Sequence, residues 1–350
     1  VTVLALREQG RPAVDVVEGV RVVGFPIERH RGDGLLRYAS TYARFFARAA
    51  AHLTRRPRHY DLIHVHTLPE ALVFAALAPK LGGRPVLLDV HDLSTEVFAS
   101  RRGSAPAPVR VAERLALAFA DRVVTVHDDY RQRVCDRGVD RDDITVVLNT
   151  PDDRRFPLRP PRVPRRPPAL IYHGTFVARY GLAAAVEALA AVRKRVPGVE
   201  LHLVGDGDFR PEITRLVGEL GLDGCVELSA GAVPIEEIPA HVDAADIGLV
   251  PFVDQPFTRT ILPTKLLEYV RMGLPVIVSR NPVIERYFTD DDVFFVEPGN
   301  ATEIATAIER ITRDPEDAAR RAKRAQQFFV DEGWPAAKQR FLAVVDEMIG

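Results

Sequence analysis

At 350 residues the chain exceeds the span of one typical hydrophobic core, so two domains are expected. A formal net charge of −1 gives no global electrostatic case for nucleic acid, and no apolar run approaches the ~20 residues of a membrane span. Cys135 and Cys225 stand far apart and match no metal or redox spacing; with no signal peptide visible, a reducing cytoplasm is the expected compartment.

The chain opens directly on an apolar stretch, with no leading methionine, preceding strand or glycine-rich turn, so a segment upstream is expected. Val1–Arg7 and Val20–Phe25 are β-branched and apolar and read as short strands. Leu35 to Thr54 reads as a long helix carrying Tyr38, Tyr42, Phe45, Phe46 and several arginines, and it runs into Arg55, Arg56 and Arg58. A helix of this kind either packs on a sheet with its arginines in solvent or lies on an anionic membrane surface.

From Asp61 onward strand and helix alternate. Strands are expected at Leu62–His66, Pro85–His91, Arg122–His127 and Thr145–Asn149, with helices at Glu70–Leu81, Val109–Ala120 and Tyr130–Arg137. Such alternation implies a parallel sheet covered on both faces. His66, His91 and His127 each end an apolar strand, with Asp92, Glu96 and Asp128 nearby. Open parallel sheets bind ligands at the carboxyl ends of their strands, so three imidazoles there favour a binding rim, although a single strand-end histidine is ordinarily structural. His64 and His66 share one strand face, but no third ligand lies nearby in sequence, and no metal is expected.

Pro151–Pro168 is rich in proline and arginine, can neither pair in a sheet nor continue a helix, and marks a domain boundary. A second alternating unit follows, with strands at Ala169–His173, Val199–Val204, Cys225–Leu228, Ile247–Pro251, Pro275–Ser279 and Val293–Val296. Its helices are expected at Gly181–Arg195, Arg210–Leu220, Ile235–His241, Thr264–Met272 and Ala301–Arg313, and Pro315–Val330 and Trp334–Ile349 close the chain. The fold class is therefore α/β, with two facing Rossmann-like domains and a cleft between their strand ends. The expected division is 1–158, 159–332, and a C-terminal helix at 333–350 that packs back toward the first domain.

The stretch Thr258–Ser279 carries the most chemistry. Pro263 is expected at the first helical position and Gly273 at a left-handed cap. The helix start leaves N–H groups on Thr264 and Lys265 free for an anion, Lys265 adds a positive charge, and Glu268 follows one turn on. That suits a phosphate joined to a sugar hydroxyl, as in a nucleotide; the competing reading is a surface Lys–Glu pair. Gly205-Asp206-Gly207-Asp208 lacks the third glycine of a dinucleotide fingerprint, Arg210 standing there, so no NAD site is expected. Its Asp-x-Asp reads more simply as a tight turn than as a metal site, and Asp290-Asp291-Asp292 as a solvated loop.

Together these segments resemble a retaining glycosyltransferase of family 4, with the GT-B fold, and are similar to members that build bacterial surface polysaccharides. The resemblance is carried by LLDVHDLSTEVF (Leu87–Phe98), YHGTFVARYGL (Tyr172–Leu182), LVGDGD (Leu203–Asp208) and LPTKLLEYVRMGLPVIVS (Leu262–Ser279). It implies a nucleotide-diphosphate sugar, UDP- or GDP-linked, as co-substrate on the C-terminal domain, a glycan or lipid-linked acceptor on the N-terminal one, and no cofactor or metal. Glu268 would take the ribose hydroxyls, Lys265 with the amides around Leu262, Pro263 and Thr264 would face the diphosphate, and Gly205, Asp206 and Gly207 would allow close approach. Ala232 and Val233 would edge the base, and His91 would reach the transferred sugar.

The chain departs from the pattern in three respects, one being that the strand and glycine-rich loop usual ahead of the VTVLAL strand are not seen. Thr260 stands where many members carry the first acid of a Glu-x7-Glu pair, and Thr175 and Tyr180 stand where they often place an Arg and a Lys. Diphosphate neutralisation would then rest on Lys265 and Arg179, with Gly174 and Thr175 also among the donor-binding residues. The rival readings are a nucleotide-sugar epimerase of similar fold and a non-catalytic nucleotide-sugar-binding module. The expected location is the cytoplasm, with peripheral contact at the inner membrane face through residues 35–58 left open.

Overall fold

The structure is a computed structural model that describes residues 1–7, 10–27 and 35–350. The chain divides into two units, Val1–Val147 together with Arg340–Gly350, and Leu148–Gln339.

The first unit begins with β1 (Thr2–Leu6), β2 (Val14–Val17) and β3 (Val20–Phe25), in which β1 runs parallel and β2 antiparallel to β3. The hairpin joining β2 to β3 was not expected. Its signal is the two-residue turn Glu18-Gly19, both at positive φ, 47° and 82°. Helix α1 (Leu35–Thr54) follows, and the sheet-packing reading fits it: Phe45 and Phe46 pack with Phe25, Ile27 and Ala49, while Arg44 and Arg48 are exposed. The side chain of Tyr38 lies outside the described ones.

A second, all-parallel sheet holds β4 (Ile63–His66), β5 (Val86–Val90), β6 (Arg122–Thr125) and β7 (Ile144–Val146) in that order. The expected helix at Glu70–Leu81 is instead a 3-10 turn over Glu70–Ala76 followed by the short α2 (Leu77–Leu81). Pro79 has no N–H to donate one turn back, which prevents a continuous α-helix. An unexpected α3 (Ser94–Arg102) comes next, started by the buried Glu70 carboxylate, which accepts from the Ser94 amide at 2.6 Å. Helices α4 (Ala107–Phe119) and α5 (Asp128–Cys135) complete the wrapping. One face of the parallel sheet packs Leu87 and Val124 against Val344, Phe341 and Val345 of the chain's last turns.

The second unit is one six-stranded parallel sheet in the order β10-β9-β8-β11-β12-β13. Its strands are β8 (Ala169–His173), β9 (Glu200–Val204), β10 (Val226–Leu228), β11 (Ile247–Val250), β12 (Val276–Ser279) and β13 (Phe294–Val296). Every residue of β8, β11 and β12 is buried, as a sheet covered on both faces requires. The helices are α6 (Leu182–Val192), α7 (Arg210–Glu219), α8 (Ile238–Ala244), α9 (Thr264–Arg271), α10 (Ala301–Arg313), α11 (Pro315–Ala325) and α12 (Phe328–Glu332), and α13 (Trp334–Ile349) ends the chain. Helix α8 starts three residues later than expected because Pro239 sits in its first turn, where a missing N–H costs nothing. The expected Pro315–Val330 helix breaks after Ala325, where the Gln326 side chain donates to the carbonyls of Arg159 and Val270 at 2.7 and 3.1 Å.

The proline-rich connector has no regular structure, yet it is not a loose tether. The amides of Arg159 and Arg162 donate to the carbonyls of Arg271 and Gly273, and the Arg165 side chain pairs with the buried Asp246 at 3.0 Å.

Candidate functional site

The sheet of the second unit is built outward in two directions from β8 and β11: β9 and β10 add on one side, β12 and β13 on the other. In open parallel sheets the crevice beyond the carboxyl ends of two such strands is where ligands bind. The β8–β11 ladder pairs only Leu170 with Ile247 and Ile171 with Gly248. Beyond it the backbone N–H of His173 donates to the hydroxyl of the buried Tyr269, at 2.9 Å, rather than to a strand. Gly248 makes room for this tyrosine, since a Cβ there would lie 2.5 Å from its ring.

A cavity of about 430 Å³ opens at this point. It is lined from β8 by His173, Gly174 and Thr175, from β11 by Val250, Pro251 and Phe252, and from the α9 start by Leu262–Lys265 and Glu268. Pro263 is the N-cap of α9 in extended geometry, φ −68° and ψ 127°, rather than its first helical residue as expected. A proline there supplies no capping side chain, so the first amides of the helix are left for an outside acceptor.

Lys265 folds its ammonium over the Tyr172 ring, 3.8 Å from the centroid, and 5.1 Å from that of Tyr180. Its Nζ lies against Gly174, where a Cβ would come within 2.9 Å. Burial pulls its pKa down to about 7, against the opposing pull of Glu268. On the next turn the buried Glu268 brings Oε2 within 2.9 Å of His173 Nε2. The approach is out of line for a hydrogen bond, and neither atom has a hydrogen-bond partner among the described residues. Burial holds the imidazole below its ordinary pKa, with Glu268 pulling the other way. A buried carboxylate oxygen lacking a donor is costly unless a ligand supplies one.

Gly205 and Gly207 press the β9–α7 turn onto the β8–α6 loop: added Cβ atoms would lie 2.0 Å from the Gly174 carbonyl oxygen and 2.3 Å from that of Phe176. Asp206 is exposed and pairs with Arg210 at 2.7 Å, and that hydrogen bond holds its carboxyl below the usual range. This matches the tight-turn reading of Asp-x-Asp.

The cavity thus collects Gly174, Thr175, Leu262, Pro263, Thr264, Lys265 and Glu268, with Gly205 packed behind Gly174. Other anticipated residues do not line it. Thr260 is buried with its hydroxyl on the Phe257 carbonyl, at 2.9 Å. Arg179 is exposed, its guanidinium 5.1 Å from the ring centroids of both Tyr180 and Phe257. Ala232 is exposed, and it is Ile235 rather than Ala232 or Val233 that reaches the lining. Tyr269 was not singled out in the sequence, and His173 was read there only as a histidine ending its strand, the one at the switch point.

On the first unit, His91 stands 3.3 Å from Asp89, which also meets His64 at 3.2 Å and His66 at 3.3 Å. Burial pushes the Asp89 carboxyl up, but the three imidazoles outweigh it and hold it well below the usual range. The hydrogen bond to Asp89 raises the His91 pKa despite partial burial. His127 does not join this cluster: it is buried and caps α5, its Nδ1 accepting from the Tyr130 amide at 3.3 Å.

Two Rossmann-like halves, the second with a cavity at its switch point, define a GT-B fold. The description "Glycosyl transferase 4-like domain" matches residues 1–150, and "Glycosyl transferases group 1" matches residues 167–314. The chain belongs to the GT-B glycosyltransferases of this family-4-like, group 1 kind. Similar proteins include alpha-D-kanosaminyltransferase of Streptomyces kanamyceticus, 28% identical over 52% of this chain and 45% of that protein. The lipopolysaccharide core biosynthesis glycosyltransferase LpsE of Rhizobium meliloti is 29% identical over 48% of this chain and 46% of its own length. These matches span about half of those relatives. In fold, the chain is similar to Anabaena Alr3699/HepE, solved in complex with UDP-glucose, at a TM-score of 0.70 and 19% identity, covering 99% of both chains.

Proposed function

We propose that the chain transfers a sugar, with retention of anomeric configuration, from a UDP- or GDP-sugar to a glycan or lipid-linked acceptor in cell-surface polysaccharide assembly. The observation that carries this reading is the buried Glu268 oxygen without a hydrogen-bond partner, one helical turn from an uncapped helix start and the Lys265 ammonium. A ribose hydroxyl supplies the donor that Glu268 lacks. The diphosphate takes the α9 amides and Lys265, which stabilise the charge that grows on the leaving group as the glycosidic bond breaks. No metal is required for that neutralisation. The glycines at 205 and 207 keep the neighbouring turn flat enough for the nucleotide to approach.

His91 is assigned a positioning and electrostatic role in transfer, and His91→Ala with undiminished turnover would refute it. The half-buried aromatic side of α1 leaves Arg44, Arg48, Arg55, Arg56 and Arg58 exposed, which supports peripheral contact with an anionic membrane surface on the cytoplasmic side. Names among the relatives, including a lipopolysaccharide core enzyme, support the polysaccharide setting.

Calorimetry with UDP- and GDP-sugars tests the reading. One base should bind, and Glu268→Ala should weaken it about 10- to 100-fold, the equivalent of a lost hydrogen bond to a charged group, about 1.5–3 kcal/mol. Equal binding by the variant would remove the basis of the assignment. Binding without turnover over a broad acceptor panel would favour a non-catalytic module, the reading that Thr260 supports.

A further inference from the structure

Beside His91, the first unit groups His64, His66 and Asp89, to which the proposed transfer assigns no role. His64 and His66 alternate onto one face of β4, and β5 lies beside it in parallel register, pairing His66 directly with Asp89. The sequence shows two ligand-type side chains here; the sheet supplies the third from a strand more than twenty positions on. One ligand atom from each of the three residues lies within 4.8 Å of the other two.

We propose that His64, His66 and Asp89 form a binding site for a divalent transition cation of the zinc class. The distances carry the inference. A tetrahedral ion with arms of about 2.0–2.1 Å has ligand-to-ligand edges of about 3.3–3.4 Å. The Asp89 Oδ2 to His64 Nε2 and His66 Nδ1 separations are 3.2 and 3.3 Å, so two of the three edges already have that length. Two imidazoles and one carboxylate leave one tetrahedral position open, the ligand number of catalytic rather than closed structural zinc sites.

The surroundings also suit a metal centre. Asp89 is buried, and its other oxygen, Oδ1, is held by His91 Nε2 at 3.3 Å, the outer-shell bond that orients a ligating carboxylate. His64 packs against Phe341, with ring centroids 5.4 Å apart and the planes tilted by 39°. His66 is more than half exposed, and both histidines line a cavity of about 460 Å³, which gives an ion a path in. A lone carboxylate accepting from two imidazoles would show the same contacts, so the test must separate the two arrangements.

The experiment titrates the chelator-treated full chain with Co²⁺, read by its visible absorption, and then displaces it with Zn²⁺. One equivalent should bind with the intense bands of a four-coordinate ion. His66→Ala, at an exposed position, should weaken binding at least tenfold with an unchanged far-ultraviolet spectrum and melting temperature. His64→Gln with His66→Ala should abolish it. Absence of a stoichiometric equivalent overturns the proposal, as does binding that His66→Ala leaves unchanged. Nucleotide-sugar affinity, measured on the same samples, should be unaffected by His66→Ala, which keeps this test separate from that of the donor site.

Discussion

Raising the pH from 6 to 9 should weaken nucleotide-sugar binding while Lys265 adds stability to the ligand-free protein, opposite in sign to His91, whose raised pKa loses stability as pH rises. Burial over the Tyr172 ring lowers this lysine to about pH 7 from an ordinary 10.5. The unfolded chain keeps the ordinary value, so between those limits it binds the proton that the folded chain has lost. Unfolding free energy then rises with pH, at most by about 1.4 kcal/mol per unit. Below pH 7 both states are protonated, and the folded state bears the full cost of a desolvated ammonium.

A bound diphosphate reverses the preference, since it needs the charged form. Above pH 7 the free lysine must take up a proton to bind, and affinity should fall by as much as tenfold per unit. Glu268, Tyr172, Tyr180 and His173 also face this ammonium, and burial holds the His173 imidazole below its ordinary value. Lys265→Met should remove the Lys265 slope from both curves and bind donor weakly at every pH. Calorimetry and urea unfolding at four pH values measure the two slopes. Donor affinity independent of pH, or an unchanged slope in Lys265→Met, would refute the argument.

Gly205→Ala places a methyl 2.0 Å from the Gly174 carbonyl oxygen and should cost about 3 kcal/mol or more in urea unfolding. Gly218→Ala, in α7 with nothing within 4 Å of the added carbon, should instead stabilise by about 0.5–1 kcal/mol. Tyr269→Phe strands the buried His173 amide and should cost about 1–3 kcal/mol, with a larger loss of donor affinity than a distant substitution of equal stability. Arg179→Ala should reduce donor affinity less than Lys265→Met, because the guanidinium stands on Tyr180 and Phe257 at the surface; a larger loss would show that it swings onto the diphosphate.

The alternation of apolar strands with amphipathic helices made the α/β fold legible, because each buried strand is a run such as ALIYH or VIVS with no competing period. The hairpin at Glu18-Gly19 was visible only as turn chemistry, and α3 was hidden because its start depends on Glu70, twenty-four residues away. The α9 pocket was legible because its residues are contiguous: Pro263, Thr264, Lys265 and Glu268 fall on a single helix start. His173 was harder to place, since its role depends on which strands neighbour β8, and strand order is not written in any local pattern. The same blindness explains the expectation of no metal ligand beside His64 and His66: Asp89 becomes their neighbour only through the register of β4 with β5.

A crystal structure with the tightest-binding nucleotide sugar tests the central claim most directly. The ribose hydroxyls should lie within hydrogen-bond distance of Glu268, and the diphosphate should meet Lys265 and the amides of Thr264 and Lys265. A nucleotide seated elsewhere on the chain, or one whose ribose leaves Glu268 without a donor, would contradict it.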